Sequence, residues 1–499
     1  MVGVVPARAP GRADPARGGW RLWPALVVPA GVVVAWALLR WSGTAPFGSD
    51  NDEYRLVAEE LLRTGRPVVA GVEATKYPPG YPVLLALIDL VGLPVTKAAL
   101  ALNVALVVAL GGVVAAVGRT LGQRRWSVAA AVCAVGGAGL WGSVFVTMPD
   151  VAFLLVFAAV AWRLARLEST GDVWVLVALV GGATLLKSVG LLVGLAASVA
   201  LLAVPGVRRL AWAPGTAAVA VTAATAAFAA PHPEHTTGYA RTFLLVDPTD
   251  ARAGEVSLLG LVQRLPDRAH LVLRDVEVAV VGPHLARPWS WLLVVALLGA
   301  GVWAVWAKPP LRAFALAFLV TWLPAMALWP YSSVRFELPL VVLAALGVGR
   351  LCEGASRRAG PAGGLVVVVA LSTHLGGQGA QVARDATFEE ATLGLVARHA
   401  ADAATWGATN IPAGDVVASF AYREVAYRLD RPVVALGYTS DLGSLLEDAD
   451  AAGARWLVVM PSLYRARGQL EERFVAAFPE RLRLAHDTPT VDTYELLPP

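Results

Sequence analysis

Apolar stretches separated by short polar segments make up most of the first 377 residues of the chain. Several have close to the roughly 20 apolar residues that a membrane-spanning helix needs, and the shorter ones are expected to be tilted or broken helices. The pattern predicts an α-helical multi-span membrane protein with about eleven spans, and twelve or thirteen are the alternatives. The stretches are residues 22–39, 98–118, 127–146, 151–167, 173–186, 188–204, 211–230, 289–307, 313–329, 336–350 and 364–377.

Arginine clusters between these stretches indicate the orientation. With residues 1–21 as a cytoplasmic tail, every such cluster falls on the cytoplasmic side, as the positive-inside rule requires. Residues 80–93 are also apolar and would reverse this arrangement if they crossed, so we predict an in-plane or re-entrant helix there. Residues 22–377 then form the membrane domain of a multi-pass plasma-membrane protein, with outer loops 41–97 and 231–288.

The segment 378–499 has a different pattern. From about residue 384 short β-type runs alternate with helical ones, which predicts a small extracytoplasmic α/β domain. The predicted strands are Val416–Phe420, Val433–Leu436 and Trp456–Met460, and the predicted helices include Ser440–Ala454 and Gln469–Ala477.

The composition excludes a soluble globular protein. Hydrophobic residues make up 57% of the chain and charged residues only 16%, against a soluble norm of about 25%. The formal net charge is only +4 and no basic stripe is present, which argues against nucleic acid as a partner. Cys133 and Cys352 both lie in apolar runs, so we expect buried thiols and not a disulfide or a metal pair.

Candidate chemistry begins in the first outer loop. Asp50, Asp52 and Glu53 precede Tyr54 and an amphipathic helix predicted over residues 52–63. Carboxylates at the mouth of a membrane helix carry a desolvation penalty unless they are used or solvated. The alternative is an Asp cap with acidic first-turn residues. Asp50 and Asp52 could also hold a divalent cation.

Three later segments complete the candidate set. A rigid turn with three prolines runs from Lys76 through Tyr77 to Pro82, and its alternative role is membrane entry. Lys187 lies between two apolar runs, where it could also be a snorkelling side chain at a helix end. Arg335 precedes an apolar run, and its alternative is a salt bridge with Glu337.

Together these segments resemble the GT-C superfamily of membrane glycosyltransferases, in its protein O-mannosyltransferase and lipid A aminoarabinose transferase branch. Asp52 and Glu53 match that branch's first-loop acidic pair, and Lys76–Pro79 matches its basic-aromatic-Pro turn. Residues 147–150, ending in Asp150, resemble its second acidic motif. Lys187 resembles its Lys-Gly segment, although Ser188 replaces the glycine, and residues 331–339 resemble its Arg-aromatic-x-x-Pro segment.

The resemblance implies transfer of a sugar from an undecaprenyl- or decaprenyl-phosphate carrier to an outer acceptor (an envelope lipid, glycan or protein), with inversion. Asp52 would be the general base, with Asp150 orienting the sugar or sharing that role and Glu53 in the acidic pair. Lys187 and Arg335 would bind the lipid phosphate, because fixed cations stabilise the departing charge. Lys76, Tyr77 and Tyr54 would contribute to substrate binding. The resemblance also implies a reaction without metal, so we expect no metal and no cofactor, and Asp50 with Asp52 is the alternative metal site.

Two other classes of protein remain as alternatives. A transporter or lipid flippase favours polar groups near the bilayer midplane and often has inverted repeats, which this sequence lacks. A non-catalytic scaffold would use the outer domain to bind a partner.

The mixed charges in loop 231–288 predict a pair of interfacial amphipathic helices over the site. His232 and His235 lie in the same loop, and we interpret them as solvated residues, because Pro233 interrupts any helix that would present them to a metal.

Overall fold

The structure is a computed structural model. It describes residues 50–69, 72–73, 77–93, 95–124, 126–136, 140, 143–144, 146–229, 243–247, 250–282, 288–331, 333–436, 441–460, 465–489 and 491–498. The first predicted span, Lys76, His232 and His235 lie outside these residues.

Helices dominate the part of the chain that precedes residue 411. In chain order they are α1 (Asp50–Thr64), α2 (Gly80–Leu90), α3 (Val95–Thr120), α4 (Ser127–Gly136), α5 (Asp150–Ala165), α6 (Thr170–Leu186), α7 (Gly190–Leu202), α8 (Trp212–Ala229), α9 (Leu258–Val280), α10 (Trp289–Val305), α11 (Pro309–Leu328) and α12 (Leu338–Asn410). Two short antiparallel hairpins interrupt them, β1 (Val68–Val69) with β2 (Val72–Glu73) and β3 (Leu245–Asp247) with β4 (Asp250–Glu255).

Four helices of the described ranges are long and apolar enough to cross a bilayer, as expected for a membrane protein. They are Ala98–Thr120, Arg208–Ala227, Pro309–Leu328 and Leu338–Gly364. The other apolar helices found there have 10–17 residues. With 11 residues, α2 is about 16 Å long, shorter than the roughly 30 Å of hydrocarbon, in keeping with a helix that does not cross.

Small residues allow the helices to pack at backbone distance. Gly301 on α10 faces Leu343 on α12, and a Cβ on Gly301 would overlap that leucine's carbonyl oxygen. Gly347 on α12 makes the same kind of approach to Leu297 on α10. Such glycine contacts are typical of membrane helix pairs, where dispersion and close fit replace the hydrophobic effect.

The structure narrows the predicted turn between residues 350 and 364 to its second half. Residues 350–358, expected to link two spans, are helical and continue α12. The first glycine–proline pair after residue 350 is Gly360 and Pro361. The backbone leaves the helical region there, at Ala359 and at Gly360, which has a φ of 68°. The helix then resumes and runs to Asn410, so residues 378–410 are helical rather than part of the sheet.

Loop 231–288, where a pair of interfacial amphipathic helices was predicted, is described in part. Phe243 and Leu244 are helical and are followed by the β3–β4 hairpin and one amphipathic helix, α9. Residues 231–242 lie outside the described residues, so the predicted pair stays a prediction.

Beyond α12 the chain folds into a five-stranded mixed sheet. Its strand order is β6-β5-β7-β9-β8, with β5 parallel to β6 and β7 and the other pairs antiparallel. The elements are β5 (Val416–Ser419), α13 (Tyr422–Arg428), β6 (Val433–Ala435), α14 (Leu442–Ala451), β7 (Ala454–Val459), α15 (Arg465–Ala477), β8 (Leu482–Asp487) and β9 (Asp492–Leu496). The three predicted strands are present, whereas β8 and β9 were not predicted.

Both faces of this sheet are covered, and the domain touches the bundle. The end of α12 and α13 pack on one face, and α14 and α15 pack on the other. Helix α13 also contacts α1, the helix that carries the first acidic motif. Asp430, just after α13, lies within electrostatic range of Arg63 at the end of α1.

Candidate active site

The first acidic motif forms the start of α1, within two residues of the predicted helix. Asn51, Glu53 and Tyr54 on its first turns are buried. Asp50 and Asp52 belong to the same turn, but their side chains lie outside the described part of the chain. The acidic motif therefore begins a helix packed into the protein and not a solvated loop.

A buried arginine joins this helix to the second acidic motif. Arg55 has a fully buried side chain, and its Nη2 donates a hydrogen bond to Oγ1 of Thr147 at 3.0 Å. The segment before Thr147 is held by Asn103, whose Nδ2 donates to the carbonyl oxygens of Val144 and Val146. Because Asp52 lies one turn before Arg55, the backbones of the two acidic motifs are neighbours.

Asp150 and Lys187 form a buried ion pair. Pro149 and Asp150 begin α5, and Lys187 follows the last residue of α6 in extended conformation. Lys187 Nζ lies 2.6 Å from Asp150 Oδ1, and the two side chains are 13% and 2% exposed. The sequence predicted both residues as site residues, and the structure brings them into direct contact. In a low-dielectric environment each charge relieves the desolvation penalty of the other.

A tight turn and two aromatic rings fix Lys187. Gly190 starts α7 directly against α6, and a Cβ there would lie 2.6 Å from the carbonyl carbon of Ala183. The ammonium group stands 5.7 Å from the ring centre of Phe153 and 5.1 Å from that of Phe336. These rings exclude water on two sides and attract the cation.

Arg335 lies in the same cluster. Its guanidinium contacts Sδ of Met148, two residues before Asp150, and stands 5.3 Å from the ring centre of Phe336. Phe336 thus touches both cations, Arg335 and Lys187. The late motif and the second acidic motif meet at one end of the helix bundle, which we call the site end.

Glu337 is a buried acid of this cluster that the pattern did not identify as a site residue. Its side chain is 2% exposed and accepts a hydrogen bond from Trp322 Nε1 at 3.2 Å. It lies within electrostatic range of Lys187 and of Asp275 on α9. Glu337 could have been predicted from its position, because an acid directly before an apolar helix is unusual. Arg55 could have been predicted in the same way, because it falls among the apolar positions of α1.

The tyrosine–proline turn packs beside α1 and α6. Ring centres of Tyr54 and Tyr77 are 4.8 Å apart, and Tyr81 meets Tyr54 edge-on at 5.4 Å. Tyr81 is fully buried and within electrostatic range of Asp150 and Arg55. At Gly80 a Cβ would lie 2.6 Å from the carbonyl oxygen of Leu185, so this turn touches the end of α6 directly.

An apolar cavity of about 220 Å³ opens beside these groups. Its walls come from α1, the tyrosine–proline turn, the end of α6 and the middle of α8. Leu185, one of its lining residues, lies two positions before Lys187. The other residues that line it are Tyr54, Val57, Pro67, Tyr77, Pro79, Pro82, Val221, Ala224 and Thr225.

This arrangement suits an amphiphile with an anionic head. Lys187 and Arg335 supply positive charge, Asp150 and Glu337 supply carboxylates, and the cavity supplies apolar walls. Within the described ranges, no group of three His, Cys, Asp or Glu side chains could hold a metal ion. The expectation of a metal-independent protein stays a prediction, because Asp50 and Asp52 are not part of that search.

Comparisons with solved structures identify the fold. No protein-family model and no curated protein matches the sequence. ArnT from Cupriavidus metallidurans bound to undecaprenyl phosphate is similar over 94% of this chain and 98% of its own, with a TM-score of 0.61 and 15% identity. Its apo state gives a TM-score of 0.58 with 14% identity, covering 96% of this chain and 98% of its own.

An archaeal protein shows the same architecture. AglB, the oligosaccharyltransferase of Archaeoglobus fulgidus in complex with an inhibitory peptide and a dolichol-phosphate, is similar over 90% of this chain and 70% of its own. Its TM-score is 0.55 with 14% identity. The chain therefore has the fold of the GT-C glycosyltransferase superfamily, to which ArnT and AglB both belong.

Proposed function

We propose that the protein is a membrane glycosyltransferase that moves a sugar from a polyprenyl-phosphate carrier to an acceptor outside the cytoplasm. The observation that carries this proposal is the buried Asp150–Lys187 pair, placed beside Arg335 and next to an apolar cavity. ArnT and AglB, which share the fold, have been solved with undecaprenyl phosphate and dolichol-phosphate.

In this proposal the cavity holds the first part of the prenyl chain and the cations hold its phosphate. Lys187 and Arg335 face the same ring, Phe336, so one phosphate can lie between them. Asp150 neutralises Lys187 while no phosphate is bound. Fixed cations at the leaving phosphate lower the barrier, because negative charge develops there as the glycosidic bond breaks.

In this proposal, α1 carries the residue that acts on the acceptor. An acceptor hydroxyl or amine attacks the anomeric carbon, its proton passes to the Asp52 carboxylate, and the bond between that carbon and the phosphate oxygen breaks. A positioned base contributes roughly 10²–10⁴-fold to such a step. Asp150 orients the sugar, and Glu53 supports the acidic pair. Attack opposite the leaving phosphate inverts the anomeric carbon.

Tyr54 and Tyr77 line the cavity and would contact the donor, with Lys76 from the same turn as a further phosphate ligand. The proposal also includes the predicted topology, in a plasma membrane with the N-terminus in the cytoplasm and the site end, together with the sheet domain, outside it. Contact between α13 and α1 supports placing that domain on the side of the site.

Comparative mass spectrometry of glycolipids and glycoproteins from a deletion strain tests the function. We expect one envelope component to lose one sugar and the wild-type gene to restore it, whereas Asp52→Asn does not. Glu60→Gln is the matched control, because Glu60 lies on the same helix but pairs with the exposed Arg63. An unchanged set of products after deletion, or full rescue by Asp52→Asn, would contradict the proposal.

A further inference from the structure

A group of exposed apolar side chains outside the site has no role in the proposed function. Leu258 and Leu259, at the start of α9, are 82% and 67% exposed. Val262, one turn later, is also exposed, as are Leu244 and Val246 at β3. We call these five residues the apolar tip. Large apolar patches on a protein surface mark contacts with other molecules or with a membrane.

Hydrogen bonds hold the apolar tip together as one unit. The Val256 N–H donates to the Leu244 carbonyl at 2.6 Å, which closes the hairpin onto the start of α9. Arg264, on the second turn of α9, donates to the carbonyl oxygens of Phe243 and Leu245. These bonds connect residues 243–245 to the first two turns of α9.

The base of the apolar tip lies at the level where a span ends. Phe243, next to Leu244, packs on Trp329 with ring centres 6.3 Å apart. Trp329 directly follows the span Pro309–Leu328, and its indole also meets Tyr331 and Phe336. Clustered Trp and Tyr side chains at the end of a span are typical of the membrane–water interface.

The charges of α9 complement a lipid headgroup layer. Beyond the apolar tip, Arg268 is half-buried and Arg274 is exposed. The acids Asp275 and Glu277 are buried, so Asp267 is the exposed acid among the described residues of α9. A helix with an apolar end and outward-facing arginines is of the kind that binds an anionic membrane surface.

We propose that the apolar tip inserts into the bilayer at the site end, with Arg268 and Arg274 in the headgroup layer. The far end of α9 carries Asp275, which lies within electrostatic range of Glu337. One helix of 23 residues would thus run from a membrane anchor to the site. This inference does not depend on sugar transfer.

Depth measurement by spin labelling tests it. In the full chain with Cys133 and Cys352 replaced by alanine, single cysteines are placed by Leu258→Cys, Val262→Cys and His270→Cys. His270 is the matched control, because it is exposed on the same helix two turns beyond the apolar tip. The labelled proteins are reconstituted into vesicles that contain anionic lipid, and collision with oxygen is compared with collision with a water-soluble nickel complex.

We expect the labels at 258 and 262 to favour oxygen several-fold over the nickel complex, and the label at 270 to show the reverse. Labels at 258 and 262 that collide with nickel as readily as the label at 270 would overturn the insertion. Spin–spin broadening at 258 that disappears on dilution with unlabelled protein would also overturn it, because a second copy would then cover the apolar tip. Val246→Cys replaces any variant that does not reconstitute.

Discussion

The site in the helix bundle buries its charged side chains, whereas the charged pairs on the C-terminal sheet are mostly exposed. The bundle site holds Asp150 and Lys187 in contact with almost no access to water. On the sheet, Arg483 pairs with Glu495 and Arg455 with Asp415, and both arginines are largely exposed. The same pairing chemistry therefore has different consequences, because water screens one set of charges and not the other.

The largest effect is expected from Lys187→Met. This change leaves the buried Asp150 carboxylate without its cation, and removal of one partner of a buried pair typically costs about 3–5 kcal/mol. We expect a fall of several degrees in the apparent unfolding temperature of the purified full chain, and loss of the proposed transfer.

The double variant Lys187→Met with Asp150→Asn separates stability from chemistry. Because it removes both charges, we expect most of the stability to return while transfer stays absent. A double variant as unstable as Lys187→Met alone would show that packing, and not charge, accounts for the loss.

A second large effect is expected from Gly190→Ala. The added methyl group would overlap backbone atoms of Thr184 and Ala183, which cannot move aside as a flexible side chain could. We expect a loss of about 1–3 kcal/mol, the usual range for overpacking, together with displacement of Lys187. Gly181→Ala on α6 is the matched control, because no atom lies within 4 Å of the position that its methyl group would take. Equal thermal stability of the two variants would contradict the close approach.

On the sheet, Glu495→Gln should have a much smaller effect. It breaks the exposed pair with Arg483 between β8 and β9, and such pairs contribute about 0–1 kcal/mol. Hydrogen exchange of these strands, measured by mass spectrometry in the full chain, should change slightly at low salt and not at high salt. A salt-independent loss of protection comparable to that of the bundle variants would remove the contrast between the two regions.

The smallest effect concerns pH. Burial and the neighbouring Asp487 raise the pKa of Asp492 at the start of β9 above its ordinary value. The folded state therefore holds the Asp492 proton more tightly than the unfolded state. As pH rises from the ordinary pKa of an aspartate to the raised pKa of Asp492, the stability of the β8–β9 pair falls. Asp492→Asn should abolish that pH dependence and slow local hydrogen exchange slightly near neutral pH, after correction for the intrinsic rate. Exchange that keeps the wild-type pH profile would exclude Asp492 as its source.

The sequence was most informative where the local pattern and the tertiary structure agree. Helix α1 and the strands β5, β6 and β7 follow from periodicity. Lys187 and Arg335 were noticed because charges next to apolar runs are unusual, whereas Asp150 was identified through the resemblance of residues 147–150 to the second acidic motif of the GT-C branch. In contrast, the exposed, half-buried and buried positions of β8 and β9 do not alternate regularly with polar and apolar residues, so their sequence pattern is weak.

The partners of the site were harder to predict than its members. Arg55 lies in a mixed polar segment, and the local sequence gives no sign of its contact with Thr147, 92 residues away. Glu337 depends in the same way on Trp322 from the preceding helix. Long-range contacts of this kind leave no local periodicity. The helical continuation of α12 was missed because its arginines resembled a loop, although no strong helix breaker occurs before Gly360.

The corner at Gly360 determines how the two regions are connected. Helix α12 leaves the site end at Leu338, bends at this one glycine, and by α13 the chain is again beside α1. Its second part, from Pro361 to Asn410, is helical, and a helix of that length is about 75 Å long. A continuous helix therefore joins the corner to the sheet domain, so the placement of that domain relative to the bundle depends on the backbone conformation at Ala359 and Gly360.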